Sequence, residues 1–280
     1  MRLGFVDHHL NNFHANKFLQ LLHGPLAALG ARVECAWESD PVGDDWCGNN
    51  GVRREASPEA VAAACDAVLV LAPDNIDAHR ELCARVFPGA RRVLVDKFLA
   101  TTTADAAAIV QDASARGVAL FSASSLRFAV EHRALFTPEA HPAEAFARGM
   151  GDWEGYGIHT LSLVVASLGI GVRRVLNGGN ADTTFLTLEY ADGRRGWVEV
   201  RRAANQWEVF PWCFGFRFGD QYRTGVVRDY DGFYANLMRE AVRFFETGDS
   251  PIATAEMLEV VAVLEAAAVS LSRGGAWVEL

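Results

Sequence analysis

A lysine that closes a buried strand is the first group in this 280-residue chain with evident chemical use. The run Arg92-Val93-Leu94-Val95-Asp96 reads as a parallel strand covered on both faces, and Lys97 stands just past its carboxyl end. Open α/β sheets collect their reactive and ligand-binding groups at that end, where a lysine offers a point charge and a movable proton. Histidines form the second set. His159 follows Gly155-Tyr156-Gly157-Ile158 at the start of an apolar helix, and Asp7, His8, His9 and His14 crowd the exit of the first strand. Imidazole and carboxylate suit zinc, manganese or iron. Adjacent histidines on an extended segment point to opposite sides, however, and this spacing matches no established site, so no metal ligands are assigned. Arg127 ends a later strand, where it is placed either to meet an anionic or polyhydroxyl substrate or to form a surface salt bridge.

Strands and helices alternate through the first half of the chain. LGFV, RVECAW, AVLVL, RVLV and VALFS are short apolar runs, and the segments near 14–29, 58–65, 76–87 and 103–116 have helical patterning. This alternation predicts a doubly wound parallel sheet. After Arg127 the pattern changes. A helix is expected after Gly157, followed by consecutive strands near 173–178, 184–190, 196–203, 207–219 and 221–228, then helices near 231–246 and 255–272 and a last strand, AWVEL. Consecutive strands imply an antiparallel or mixed sheet. Phe210, Trp212, Phe214, Phe216 and Phe218 alternate, so one strand face is aromatic, either core beneath the closing helices or a subunit interface.

Composition narrows the partners. The net charge is −9 and no Lys/Arg cluster appears, which argues against nucleic acid and anionic membrane. Five cysteines without a CxxC pair suggest neither a disulfide framework nor a zinc ribbon. The chain turns polar at Asp7 after one short strand, which is unlike a signal peptide, and no run approaches the ~18 apolar residues of a membrane span, so a cytoplasmic protein is expected.

Asp96-Lys97-Phe98-Leu99-Ala100-Thr101-Thr102 resembles the "EKP-L-A-T-T" block of the glucose-fructose oxidoreductase and inositol dehydrogenase (Gfo/Idh/MocA) family. Pro73, Asn75 and His79 are similar to that family's "P-N-x-x-H", and Gly157 and His159 to its "D-x-G-x-H", with Gly155 in place of the aspartate and Ser162 in place of a later one. The resemblance implies a Rossmann-like domain over 1–128 and an α+β domain on a mainly antiparallel sheet over 129–280, whose closing helix and strand can pack back on the first domain. It also implies an NAD-dependent oxidoreductase acting on a sugar, cyclitol or related polyol, with Lys97 and His159 as catalytic residues.

On this reading the cofactor lies along Asp7, His8, His9, Asn12, Glu38, Pro73, Asn75 and Asp96, and the substrate meets Arg127 and Tyr156. Glu38, or failing it Asp40, is the acid for the adenosine ribose, which favours NAD over NADP. One departure stands out. The family's glycine-rich turn is replaced, with Asp7 and His9 where its glycines lie, so a carboxylate and an imidazole are expected to obstruct the pyrophosphate. The alternative function is therefore a non-redox relative, either a ligand-binding or regulatory protein or a metal-assisted enzyme. The expected partners are a small polyhydroxyl substrate and further copies of the chain, as a dimer or tetramer.

Overall fold

The computed structural model describes residues 1–136, 142–202 and 210–280, which fall into two compact units. The first comprises Met1–Ala123 and Tyr234–Met257, and the second Ser124–Phe233 and Leu258–Leu280.

In the first unit β1 (Arg2–Asp7), α1 (Phe13–His23), β2 (Arg32–Glu38), α2 (Trp46–Asn50), β3 (Arg53–Arg54), α3 (Pro58–Ala64), β4 (Ala67–Val70), α4 (His79–Val86), β5 (Arg92–Asp96), α5 (Thr103–Ala115) and β6 (Ala119–Ala123) follow in order. The strands form one parallel sheet in the order β3-β2-β1-β4-β5-β6. The chain winds outward in opposite directions from β1 and β4, and such a reversal opens a crevice at the carboxyl ends of the strands. Phe5, Val6, Val68, Leu69 and Val95 are buried without exposure, as a sheet covered on both faces requires. The predicted helix over 14–29 stops at His23 because Pro25 cannot continue it, and only a short turn occupies 27–29.

The second unit contains α6 (Val130–Leu135), β7 (Glu144–Met150), α7 (Trp153–Leu168), β8 (Val172–Asn177), β9 (Thr183–Tyr190), β10 (Arg195–Arg201), β11 (Cys213–Phe218) and β12 (Gln221–Val226). The chain then enters α8 (Tyr230–Thr247), most of which belongs to the first unit, continues through α9 (Thr254–Ser272), and ends in β13 (Val278–Glu279). The second sheet has the order β12-β11-β7-β10-β9-β8-β13. Every pair in it is antiparallel except β7 with β10. No helix among the described residues is long and apolar enough to cross a membrane.

One strand was not anticipated and one helix start is corrected. Strand β7, inside the sheet, carried no recognisable signal because its buried positions before the closing Met150 are Ala145, Ala147 and Gly149, which show little hydrophobicity and favour strands weakly. They are small because other groups fill the space. A Cβ on Gly149 would lie 2.4 Å from both Thr160 Oγ1 and the Trp212 ring. The helix expected after Gly157 instead begins at Trp153, capped by Asp152, whose carboxylate accepts from the Gly155 amide at 2.5 Å. Gly157 lies inside it because a Cβ there would meet the Trp153 ring at 2.4 Å.

The aromatic stripe is largely core. Trp212, Phe214 and Phe216 are buried, and Phe214 and Phe216 pack on His132 of α6, whereas half-buried Phe210 stacks with the Arg148 guanidinium 4.2 Å from its ring centre. Part of the strand expected over 207–219, residues 207–209, lies outside the described residues, as does residue 203 at the end of the strand expected over 196–203. Gly149→Ala should cost about 1–3 kcal/mol by overpacking, read as a shifted urea midpoint with unchanged slope. An unchanged midpoint would mean that Trp212 and Thr160 yield freely.

Candidate active site

The crevice of the first unit is organised by Asp7 at the end of β1. Rather than pointing outward, the carboxylate is 1% exposed and turned into the protein. Its Oδ1 accepts from the amides of His8 (2.7 Å), His9 (3.2 Å) and Ala72 (3.0 Å), and its Oδ2 accepts from Asn12 Nδ2 at 2.8 Å. Asn12 caps α1 by accepting from the Ala15 amide at 3.0 Å. Burial pushes the Asp7 carboxyl up to about 7, against the hydrogen bonds that favour its charged form. Asp7 is thus a brace inside the turn, which corrects the expectation that its charge faces a pyrophosphate.

Glu38, opposite Asp7 in the β1–β2 register, is also engaged. Its Oε2 accepts from the Leu10 amide at 2.7 Å and its Oε1 from Arg54 Nη1 at 2.8 Å, leaving the residue 6% exposed. Two carboxylates therefore take the amides of residues 8, 9 and 10, the kind of group that a glycine-rich turn would leave for a phosphate. The imidazoles of His8 and His9 are only half-buried, with ring centres 4.1 Å apart. Asp40, the alternative acid after β2, keeps 64% of its side chain exposed.

Strain gathers at the ends of β4 and β5. Ala72 and Lys97 are the non-glycine residues with positive φ among the described residues, at 48° and 50°. Such conformations persist only where surrounding bonds enforce them. At Ala72 the amide is held by Asp7, and the turn continues through buried Pro73 to Asn75, whose amide donates to the Ala72 carbonyl at 3.0 Å. His79 is fully buried between two carbonyls, Leu71 O at 2.6 Å from Nε2 and Leu99 O at 3.2 Å from Nδ1, so it ties the exit of β4 to the segment after β5. Burial pushes its imidazole down.

At Lys97 the backbone amide donates to Asp96 Oδ1 at 2.8 Å, and Ser122 Oγ donates to the Lys97 carbonyl at 3.3 Å. Asp96 Oδ2 in turn accepts from His14 Nδ1. Burial works to raise the Asp96 carboxyl, but His14, the Lys97 ammonium and the Lys97 amide outweigh it and hold the group below the usual carboxylate range. The Lys97 side chain is 8% exposed, with Nζ 3.7 Å from Asp74 Oδ1. A buried ammonium beside an exposed carboxylate is placed to exchange a water-facing contact for a ligand oxygen. The His14–Asp96 pair was not legible, since the two residues lie 82 positions apart; the hint was a histidine in the first turn of a helix that follows a strand end.

In the second unit His159 sits in the second turn of α7, 6% exposed, with its ring between Tyr156 (centres 5.7 Å apart) and Trp212 (6.0 Å). Its Nδ1 lies 2.7 Å from Ser124 Oγ, which also accepts from the Leu126 amide at 3.2 Å. Ser124 was not anticipated; its signal was the polar Ser122-Ala123-Ser124-Ser125 at a strand end. Asp152 and Glu154, which could have replaced the missing aspartate, are occupied elsewhere, Asp152 on the helix cap and Glu154 on the surface 3.7 Å from Arg202. A hydroxyl orients an imidazole but brings no charge to stabilise its cation, unlike a carboxylate. Half-buried Arg127 lies in the turn Ser125–Phe128, and burial together with the charges of Arg127 and Arg133 pushes His132 down to about 4.

No family model matches the sequence, and neither does any curated protein. Solved structures do match. GenD2 from gentamicin A biosynthesis, in complex with NAD, is 20% identical with a TM-score of 0.81, the match covering 100% of this chain and 96% of that one. An oxidoreductase from Agrobacterium radiobacter in complex with NAD+, L-tartaric acid and magnesium is 15% identical (TM-score 0.80; 100% and 98% covered). The fold is that of these two proteins. A myo-inositol 2-dehydrogenase from Lactobacillus plantarum shares it at 13% identity (TM-score 0.77; 100% and 99% covered).

Two predictions follow from the geometry of the site. Because the native Asp7 value lies above the ordinary ~4, its contribution to stability is complete below that pH and is lost as pH rises through about 7. Relative to Asp7→Asn, wild type should lose up to about 1.4 kcal/mol per unit between about pH 5 and about pH 7 in urea unfolding, and parallel curves would contradict a buried carboxyl. Nitrogen NMR of the His159 ring should report one tautomer in wild type and a mixture in Ser124→Ala, with Ser124→Thr restoring the single form. An unchanged spectrum in Ser124→Ala would remove Ser124 as the orienting group.

Proposed function

We propose that this chain is an NAD-linked oxidoreductase that interconverts a secondary alcohol and a ketone on a sugar, cyclitol or related polyol. The observation that carries this reading is Lys97, a 7% exposed lysine held in a left-handed conformation at the carboxyl end of β5 in a switch-point sheet. Structures of the same fold with bound NAD or NAD+ support the cofactor.

The residues present fit a dinucleotide through an altered set of contacts. With the amides of His8, His9 and Leu10 spent on Asp7 and Glu38, the half-buried His8 and His9 imidazoles are the groups that would donate to the pyrophosphate. Asp40, exposed after β2, would accept from the adenosine ribose in place of Glu38, which favours NAD over a 2′-phosphorylated form. Pro73 and Asn75 would line the crevice, while Asn12 and Asp96 act through the backbone they hold.

In its amine form Lys97 Nζ would take the proton of the reacting hydroxyl, and the ammonium so formed would hydrogen-bond the oxygen as it becomes a carbonyl. Bound NAD would accept the hydride from the carbinol carbon, leaving a carbonyl. His159, oriented by Ser124, would hydrogen-bond a substrate hydroxyl through Nε2, with Tyr156 and Arg127 contributing to substrate binding. A neutral, serine-held imidazole suits orientation better than proton storage.

Native mass spectrometry for copurified dinucleotide and NAD reduction with a panel of sugars and cyclitols test this reading. Lys97→Met should lower turnover by about 10²–10⁴-fold with little change in thermal midpoint. An unstable but fully active variant would make Lys97 structural, and failure of the wild type to bind NAD would favour a ligand-binding protein on the same fold.

A further inference from the structure

The turn after β1 was expected to send His8 and His9 to opposite sides, as an extended chain does. It does not. Asp7 Oδ1 accepts from both of their amides, which bends the chain and brings the two rings together with centres 4.1 Å apart. The loop after β2 is joined to the same turn, since the Ser39 amide donates to the Asp7 carbonyl at 3.1 Å and the Asp40 amide to the His8 carbonyl at 3.0 Å. This frame presents two imidazoles and a carboxylate at one point. One donor atom from each of His8, His9 and Asp40 lies within 4.8 Å of the other two.

We infer that His8, His9 and Asp40 form a site for a divalent transition-metal ion of the zinc class. The donor set, two imidazoles and one carboxylate, suits zinc, cobalt or nickel far better than magnesium or calcium, which prefer oxygen alone. The orienting contacts are already in place. His9 Nδ1 is held by the Asp40 backbone carbonyl, which fixes its proton there, and His8 Nδ1 lies 2.6 Å from Ser39 Oγ. Metal-bound histidines are oriented in this way by the partner of their second nitrogen. Bonds of ~2.0–2.1 Å place tetrahedral donors about 3.3 Å apart, so binding draws the three donor atoms together, by rotation of the largely exposed Asp40 side chain and of the half-buried His8 and His9 rings. Three protein ligands leave a coordination position for water.

The site has a consequence that rests on the function proposed above. The imidazoles assigned to the pyrophosphate and the carboxylate assigned to the ribose are the same three groups that would hold the ion. Metal and dinucleotide are therefore mutually exclusive, and a bound ion closes the mouth of the cofactor crevice.

The test uses untagged, full-length protein titrated with zinc by calorimetry and with cobalt(II) by visible absorption. One equivalent should bind, with the ligand-field bands of a nitrogen- and oxygen-bound cobalt, and His9→Gln and Asp40→Asn should each weaken it by at least about tenfold. No binding, or equal affinity in both variants, overturns the site. A saturating concentration of NAD should raise the apparent zinc dissociation constant by at least about tenfold, because linkage is reciprocal. Zinc affinity left unchanged or tightened by NAD that binds the metal-free protein overturns mutual exclusion. A protein that binds zinc but not NAD supports the metal site and refutes the oxidoreductase reading instead.

Discussion

A buried carboxylate that accepts three backbone amides governs the architecture of the crevice. Asp7 closes β1, bends the chain at His8 and His9, steadies the cap of α1 through Asn12, and reaches across to the amide of Ala72 at the end of β4. Without it the Ala72 amide would be a buried donor lacking an acceptor, at a cost of about 1–3 kcal/mol. The same contacts explain how this turn is held without glycine. A phosphate-binding turn needs bare backbone because its amides serve the ligand, whereas here the amides of residues 8, 9 and 10 serve Asp7 and Glu38.

The second organising feature is strain held by hydrogen bonds. Ala72 and Lys97 occupy left-handed conformations at the ends of neighbouring strands, each costing on the order of 1–3 kcal/mol. Asp7 enforces the first and Asp96 the second, while His79 ties the two strand exits together. His14 completes the arrangement by donating to Asp96, so the geometry of the lysine depends on a helix that begins six residues after β1. An ammonium placed this way is aimed by the backbone rather than by rotamer preference alone.

Much of this was legible in the sequence, for identifiable reasons. Strands such as RVLVD and the helices between them announce themselves by hydrophobic runs and caps, and the lysine at a strand end carries its meaning in its position. What escaped depended on partners remote in sequence. Strand β7 is small-residue because Trp212 and α7 press against it, so its pattern makes sense only once they are in place. Glu38 looked like a ribose acceptor until Leu10 and Arg54 were seen to occupy it, and Ser124 meets His159 across 35 residues. The paired orientation of His8 and His9 depends on which amides one carboxylate accepts, a choice that periodicity does not encode.

The central claim is that side chains rather than amides hold the dinucleotide at this turn, and it is tested most directly by titrating NAD into wild type and a His8→Gln/His9→Gln variant under identical metal-free conditions. Binding should weaken by roughly 10–100-fold in the variant, the loss expected for hydrogen bonds to a charged group, worth about 1.5–3 kcal/mol. Equal affinity in the two proteins would contradict the account.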